Sequence, residues 1–441
     1  MFLHIGIDDT DSPSNGCTTY IAALLVEELL ALGCRFIDYP NLLRLNPNVP
    51  WKTRGNGAVC LRVDIGKDLT GRVQEAVIST VESHAEFDCV NTNPGIVFLE
   101  GKVPESLNRF SDRVVQSVVT IQEAEKLIDE TGTYAVGFKN MRGLIGALAA
   151  VGGLQRGDYT FELLSYRKSG NRGSPRLLDE ASVRLMDEAE HVDTFNNIDP
   201  ESGRVLIAPH GSDPVFFGVR GESPEAVQRA SMMVESIEEV ERWVIYRSNQ
   251  GTDWHFKQKS KISGLRPFNP AIVGGEVIEG PVSIQGGHVI FSIKDDTGRI
   301  DCAAYEPTGN FREIVRQLIP GDGIIAYGGI RESNSGGAGT LNLEKLEVIT
   351  LAQDIRLLNP ECPSCGGRME SMGRNQGFRC RRCGHREGSL SKQEAVTERV
   401  LKPGLYLPPP KAQRHLTKPL KRYGREKEHP PSGMCEPWHS L

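Results

Sequence analysis

The sequence has no apolar run approaching the roughly 18 residues that a membrane-spanning helix needs, so a helical transmembrane protein is not expected. It begins MFLHIGIDDT, with no basic n-region and with acid by the eighth position, which argues against a secretory signal and for the cytoplasm. The GxxxxGK[ST] pattern of a Walker A phosphate loop is absent. A disulfide framework is absent too. Of ten cysteines, four cluster at 362–383, while Cys17, Cys34, Cys60, Cys89, Cys302 and Cys435 are scattered, as free thiols of a reducing compartment are. Aromatic residues make up only 7% of the chain.

What is present points to several domains, because 441 residues exceed what one core organises. The net charge of −6 hides an asymmetry. Residues 355–441 hold 17 Lys and Arg against 8 Asp and Glu, so a C-terminal end of +9 follows a body of −15. Such an end either meets a polyanion or is a solvated tail.

Apolar patterning predicts a multidomain chain of α/β plus α+β type. FLHIGI reads as a strand and TTYIAALLVEELLALG as a helix closed by Gly33. Strands and helices continue to alternate, giving an N-terminal domain at 1–157. The order at 158–260 is close to βαββαβ, a ferredoxin-like domain, with TFNNID and RVLIAP as short strands. Three strands, a helix and two strands at 265–353 predict an OB-fold β-barrel. A cysteine module spans 357–390. Residues 391–441 are rich in Pro, Lys and Arg without apolar periodicity, and read as an extended or disordered tail.

In the module, Cys362 and Cys365 form one CxxC and Cys380 and Cys383 another. Four thiolates at this spacing close a tetrahedral shell, so a structural Zn²⁺ in a zinc ribbon is expected. Arg379, Arg381, Arg382 and Arg386 crowd the second pair, either as phosphate contacts or as an exposed charged face.

GIDDTDSPSNGCTTY, residues 6–20, places Asp8, Asp9 and Asp11 after a strand. Ser14, Asn15 and Gly16 then lead into a helix N-terminus. Carboxylates that hold Mg²⁺, beside N–H groups that cradle phosphate, are what a nucleoside triphosphate needs. The competing reading is a helix capped by Thr18 or Thr19 with acids complementing its dipole; a cap needs one such residue, not three aspartates. WKTRGNG offers Lys52, Arg54, Gly55 and Asn56 to phosphate, or is a polar turn. APHGSDPVFFGVRGE, with His210, Asp213 and Arg220, reads as a loop and an outward-facing strand. RSNQGTDWHF, with Trp254 and His255, is a linker or an RNA-facing loop.

HIGIDDTDSPSNGCTTY, KTRGNGAV, PHGSDPVFFGVRGE, SNQGTDWH, GGHVIFSIKDDTG, CAAYEPT and the Cys₄ ribbon, in this order, resemble the archaeal tRNA-isoleucine 2-agmatinylcytidine synthetases. The resemblance covers about residues 1–390 and leaves the tail outside. It implies an N-terminal ATP-using, kinase-like domain, and it implies that Asp8, Asp9 and Asp11 hold Mg²⁺ and ATP. It also implies that Thr18 is self-phosphorylated, and that the OB-fold and ribbon grip an isoleucine tRNA with a CAU anticodon. Agmatine would be joined to C2 of the wobble cytidine, so that the anticodon reads AUA.

The chemistry is coherent on its own terms. The C2 carbonyl oxygen is a poor leaving group, and phosphorylation by ATP makes it a good one for an attacking amine. A non-catalytic OB-fold and zinc-ribbon nucleic-acid binder is the alternative, and a small-molecule kinase or ligase is another. The binder leaves the three aspartates without a role, and the barrel has few aromatics (Phe291, Tyr305, Tyr327) on which bases would stack.

Overall fold

The structure, a computed structural model, describes residues 1–13, 15–334 and 336–440. Ser14, expected in the phosphate loop, lies outside them.

The body of the molecule is one ten-stranded sheet made by two units. The first contributes β1 (Phe2–Asp8), α1 (Thr18–Ala31), β2 (Arg35–Phe36), β3 (Asn41–Arg44), β4 (Gly57–Asp64), α2 (Thr70–His84), β5 (Gly95–Glu100), α3 (Glu105–Gln116), α4 (Ile121–Thr131), β6 (Tyr134–Gly137) and α5 (Gly143–Gly152). β1 lies between β4 and β5 and is antiparallel to both, so this unit is α+β. The helix α5 is built of small residues for a reason. A Cβ on Gly6 would stand 2.1 Å from the Ala147 carbonyl oxygen, and one on Gly95 would stand 2.2 Å from Gly143. Sheet and helix therefore touch backbone to backbone.

The second unit has β7 (Thr160–Arg167), α6 (Glu180–Glu190), β8 (Thr194–Phe195), β9 (Val215–Gly221), α7 (Pro224–Met232) and β10 (Val240–Ser248). Its strand order, β10-β7-β9-β8, is the ferredoxin-like one. The strands expected over TFNNID and RVLIAP shrink to β8 and a single bridge between Ile198 and Val205. Asn196 takes a left-handed φ of 59°, and Asp199 ties the chain back to Ser202. α7 begins as its sequence signals, with Ser223 as N-cap and Pro224 in the first turn.

The units join where β10 pairs in parallel with β3, Arg247 against Asn41 and Ser248 against Leu42. Side chains lock the seam. Ser248 donates to the Leu42 carbonyl at 2.8 Å, and Asn249 brackets Arg44 through both its backbone N–H and its carbonyl. One apolar core runs through both units.

A separate barrel follows: β11 (Pro270–Ser283), β12 (Val289–Lys294), β13 (Arg299–Ala304), α8 (Phe311–Val315), β14 (Gly323–Glu332) and β15 (Ala338–Thr350). Parallel pairing of β13 with β15 closes it, giving the OB-fold. A two-stranded ribbon, β16 (Asp354–Leu358) with β20 (Gln393–Thr397), carries the small sheet β17 (Glu370–Ser371), β18 (Phe378–Arg379) and β19 (Arg386–Glu387) that holds the four cysteines.

Residues 391–441 were expected to be extended or disordered, and over the described residues they are neither free nor loose. β21 (Gly404–Tyr406) adds to the barrel sheet beside β15. The chain then returns across the body as a strap. Leu416 and Trp438 enter the main core, Trp438 against Phe36 and Tyr39. Arg422 is fully buried between Asp158 and Glu222. Local periodicity is missing because long-range contacts, not a regular element, order this segment.

Candidate functional site

The seam between the two units opens into a cavity of ≈ 560 Å³. Asp8, Asp9, Asp11 and Thr18 reach it from β1 and the start of α1; Lys52, Arg54, Gly55 and Asn56 reach it from the turn before β4. His210, Asp213 and Arg220 line the same cavity, although their stretch read as a loop and an outward-facing strand.

Asp8 ends β1, half-buried against α5. Its carboxylate fits only because residue 146 is glycine, where a Cβ would lie 1.9 Å from Asp8 Oδ2. Asp8 has no ion pair among the described residues. Burial first, then the Asp9 charge, raise its pKa well above the usual carboxylate range. At Asp9 the chain reverses with a φ of 57°, a conformation that aspartate tolerates. Its carboxylate accepts from Arg142 Nε at 3.1 Å and Nη2 at 2.8 Å. Burial raises the Asp9 pKa and Arg142 opposes the rise.

Asp11 accepts from Thr53 Oγ1 at 2.7 Å and Arg54 Nε at 2.8 Å. Arg54 also reaches Asp213 at 3.2 Å and donates to the Gly16 carbonyl. One guanidinium thus ties three loops from both units, and its charge is matched by two carboxylates. Lys52, by contrast, forms no ion pair among the described residues. Asn56 donates to the Asn46 carbonyl at 2.7 Å and so shapes the turn. Asn15 closes a short turn with Ser12.

The competing capped-helix reading does not fit this geometry. The N-cap of α1 is Cys17, whose side chain makes no capping hydrogen bond, and the first turn carries no acid. Thr18 Oγ1 instead lies 2.9 Å from Thr10 Oγ1, at the inner edge of the cavity.

The opposite wall went unread in the sequence. Glu162, on β7, is buried and bonds Arg220 Nε at 2.8 Å and the amide of Gln250. Arg44 lies 3.7 Å from it. His415 enters from the strap. Glu162 and Arg44 sit within apolar strand runs, so the one available signal was a charge at an inward strand position. His415 lay in a segment that read as an extended or disordered tail.

Two expectations away from the cavity change. His255, predicted to face RNA, is buried, with Nε2 3.0 Å from Glu344 on β15; it docks the barrel on the body. Arg379, Arg381 and Arg382 are exposed on the ribbon, although Arg381 already pairs with Glu370 at 2.7 Å.

The four cysteines do converge. Their Sγ atoms all lie within 4.8 Å of one another, with Cys362 to Cys383 and Cys365 to Cys380 both at 3.5 Å. A tetrahedron with Zn–S bonds of about 2.3 Å has edges of roughly 3.8 Å, so the thiolates fit Zn²⁺.

A charged cavity between two fused units, with an OB barrel and a four-thiolate ribbon attached, defines a class: enzymes that act on nucleic acid through separate gripping modules. Family models narrow this. The TiaS TCKD domain matches residues 4–140, the TiaS FLD domain 141–255, an OB-fold nucleic acid binding domain 271–357 and the TiaS C-terminal zinc ribbon domain 359–401. The tRNA-isoleucine 2-agmatinylcytidine synthetase TiaS of Methanosarcina mazei is 45% identical over 429 residues, covering 96% of this chain and 97% of that one. Two solved structures are similar over 96% of this chain and 97% of theirs. A complex of TiaS with its isoleucine tRNA and ATP has a TM-score of 0.85 at 39% identity, and a complex of TiaS with that tRNA, AMPCPP and agmatine 0.83 at 37%. The chain belongs to the tRNA-isoleucine 2-agmatinylcytidine synthetase (TiaS) family. The likeness over 96% of the chain runs into the strap, which the sequence motifs had left outside.

Proposed function

We propose that this protein is an ATP-dependent carbon–nitrogen ligase that joins agmatine to C2 of the wobble cytidine of an isoleucine tRNA with a CAU anticodon. The observation that carries the reading is the cavity itself. It sets Asp8, Asp9 and Asp11 beside Thr18 on one wall and cationic groups on the other, in a member of this family.

The reaction needs the C2 oxygen made into a leaving group. A phosphoryl group passes from ATP to that oxygen as the bond to the bridging oxygen breaks and ADP leaves. The agmatine amine then bonds to C2, the C2–O bond breaks, phosphate departs and the amine proton goes to solvent. Asp8 and Asp9 would hold Mg²⁺, which supplies charge neutralisation for the polyphosphate. Hard oxygen donors suit it, and a half-buried carboxylate with no ion pair among the described residues suits a cation. Lys52 and the N–H groups of Gly55, Asn56 and Gly16 would meet phosphate, while Asn15, whose N–H is taken by Ser12, would shape the loop. Arg54 sets the loops around it. Thr18, at the inner edge, is the expected phosphoacceptor. The acidic wall suits dicationic agmatine, and the target base arrives unstacked from the anticodon loop. Exposed Arg379, Arg381 and Arg382 would contact tRNA phosphates. No described helix is long and apolar enough to cross a membrane, and a tRNA substrate and free thiols support the cytoplasm as its place of work.

The test is ATP consumption and labelled agmatine incorporation with Mg²⁺ and this tRNA, beside Asp9→Ala and beside a tRNA lacking the wobble cytidine. Turnover that requires every component and vanishes in the variant is the expected result. Tight tRNA binding without ATP consumption would return the chain to the non-catalytic binder.

A further inference from the structure

The strap does more than fill the core. Around residue 415 its backbone is fixed: Gly251 N–H donates to the His415 carbonyl at 2.8 Å and Asp253 N–H to the Leu416 carbonyl at 2.8 Å. Leu416 is buried in the main core. Between these anchors His415 turns its ring into the cavity.

The ring's tautomer follows from its neighbours. Nδ1 lies 3.3 Å from Arg220 Nη2. A guanidinium has no acceptor, so Nδ1 accepts and the ring proton sits on Nε2. The Arg44 charge first, then partial desolvation against the cavity wall, then Arg220 lower its pKa and hold the imidazole neutral, although one face of the ring stays exposed. Glu162 in turn anchors Arg220, so the ring's orientation is set two residues deep. Nε2 faces the turn before β4, where a Cβ on Gly55 would stand 3.3 Å away. That N–H has no acceptor among the described residues.

A neutral imidazole protonated at Nε2 cannot accept a proton there. It can only donate. The charges that act on the ring are Arg44 and Arg220, which share the single carboxylate of Glu162, and Lys52 of the same cavity forms no ion pair among the described residues, so the wall keeps a net positive charge. A fixed donor in a cationic wall selects an anionic oxygen. We propose that His415 is a phosphate-binding positioning residue of this site. Its Nε2–H donates to a phosphate oxygen of the ATP polyphosphate or of the tRNA backbone.

The inference rests on the ATP- and tRNA-using reading of the cavity. Three full-length variants separate donor from ring: His415→Gln keeps an N–H donor, His415→Phe keeps a ring without one, and His415→Ala serves if the Phe ring prevents folding. Each is titrated with a non-hydrolysable ATP analogue and Mg²⁺ and, separately, with an unmodified isoleucine tRNA transcript, so no turnover is needed. The variant without a donor is expected to weaken binding of at least one ligand about tenfold, the worth of one hydrogen bond to a charged group. His415→Gln is expected to stay within about threefold of the parent. Loss confined to the analogue assigns the polyphosphate, and loss confined to the transcript assigns the backbone. Loss for both, restored by Gln, assigns a phosphate contact that both ligands use. Unchanged binding of both ligands by a folded donor-free variant overturns the proposal. So does an equal loss in the Gln variant, which marks a purely structural residue. A parent protein that binds both ligands yet conjugates no agmatine refutes the ligase reading and leaves the His415 readout standing.

Discussion

Gly146 shows how narrowly one side chain of this site is accommodated. Within a helix, replacing glycine by alanine ordinarily stabilises by up to about 1 kcal/mol. Here the added methyl would meet Asp8 Oδ2 at 1.9 Å. Gly146→Ala is therefore expected to reverse the usual sign, lowering stability by about 1–3 kcal/mol as an overpacked core does, and to weaken binding of the ATP analogue. Thermal unfolding and calorimetric titration check both; a more stable variant with intact binding would refute the contact. Arg142→Ala is a second test at this scale. It leaves the half-buried Asp9 without the guanidinium that fixes its carboxylate, so ATP-dependent turnover should fall about a hundredfold or more while tRNA affinity holds.

The aspartates were legible because three like charges within four positions repel unless a cation or a ligand meets them. Arg142, Glu162 and Arg44 were not, because each acquires its meaning from a partner more than a hundred residues away in sequence. Asp213 was noticed but read as an ordinary loop residue. Nothing local shows that Arg54 will cross from one unit to reach it.

The strap is the element that sequence reading served least well. A Pro-rich basic segment without periodicity has the composition of disorder, and its order depends on pockets that other elements supply. Arg422 is the clearest case. Fully buried, it meets Glu222 at 2.6 Å and Asp158 at 3.1 Å. Removing it leaves Glu222 with Lys427 alone and Asp158 with only the more distant Lys418, and empties a fully buried site, so Arg422→Ala should cost about 3 kcal/mol in chemical denaturation. Burial alone would raise the Glu222 pKa, but the hydrogen bond and charge of Arg422, with Lys427, hold it below the usual carboxylate range. A depressed folded pKa gives stability that is present above the unfolded value, about 4.3. That stability is lost as pH falls through the lower folded value. Protection from hydrogen exchange at residues 414–427, taken relative to the intrinsic rate at each pH, should therefore hold down to about pH 4 and fall below it. A strap that loosened instead between pH 6 and 7 would point to a different anchor. α1 and α7 make the contrast, since an apolar run ended by Gly33 was enough to place the first and Ser223 with Pro224 to start the second.

At the scale of the whole molecule, the modules stand on unequal foundations. The ribbon's buried core is only Cys362, Met369, Phe378 and Cys380. That is too little to hold a fold without metal. Chelation is expected to melt the ribbon alone, lowering tRNA affinity while the main thermal transition and the affinity for the ATP analogue stay in place. Calorimetry and filter binding separate these outcomes, and loss of nucleotide binding on chelation would contradict the division. The barrel is tied more firmly, through His255 to Glu344 and through Lys345 to Asp253. The fold class was legible because each module has its own local grammar: CxxC pairs, the strand–helix order of a barrel, the βαββαβ run. The fusion of two units into one sheet was not, since a parallel pairing of β3 with β10 leaves no mark on either strand.

Trp438 packs against Phe36 across about four hundred residues of chain. On the ribosome the first core is made early and filled last. Until the strap emerges, the nascent body lacks Leu416 and Trp438 from its core and Pro410, Lys411 and His415 from the rim of its cavity. A product truncated before residue 404 would have every motif of the N-terminal half and an incomplete pocket. Contacts of such long sequence separation slow folding, and in exchange they make activity a late property, acquired only after nearly the whole message has been read.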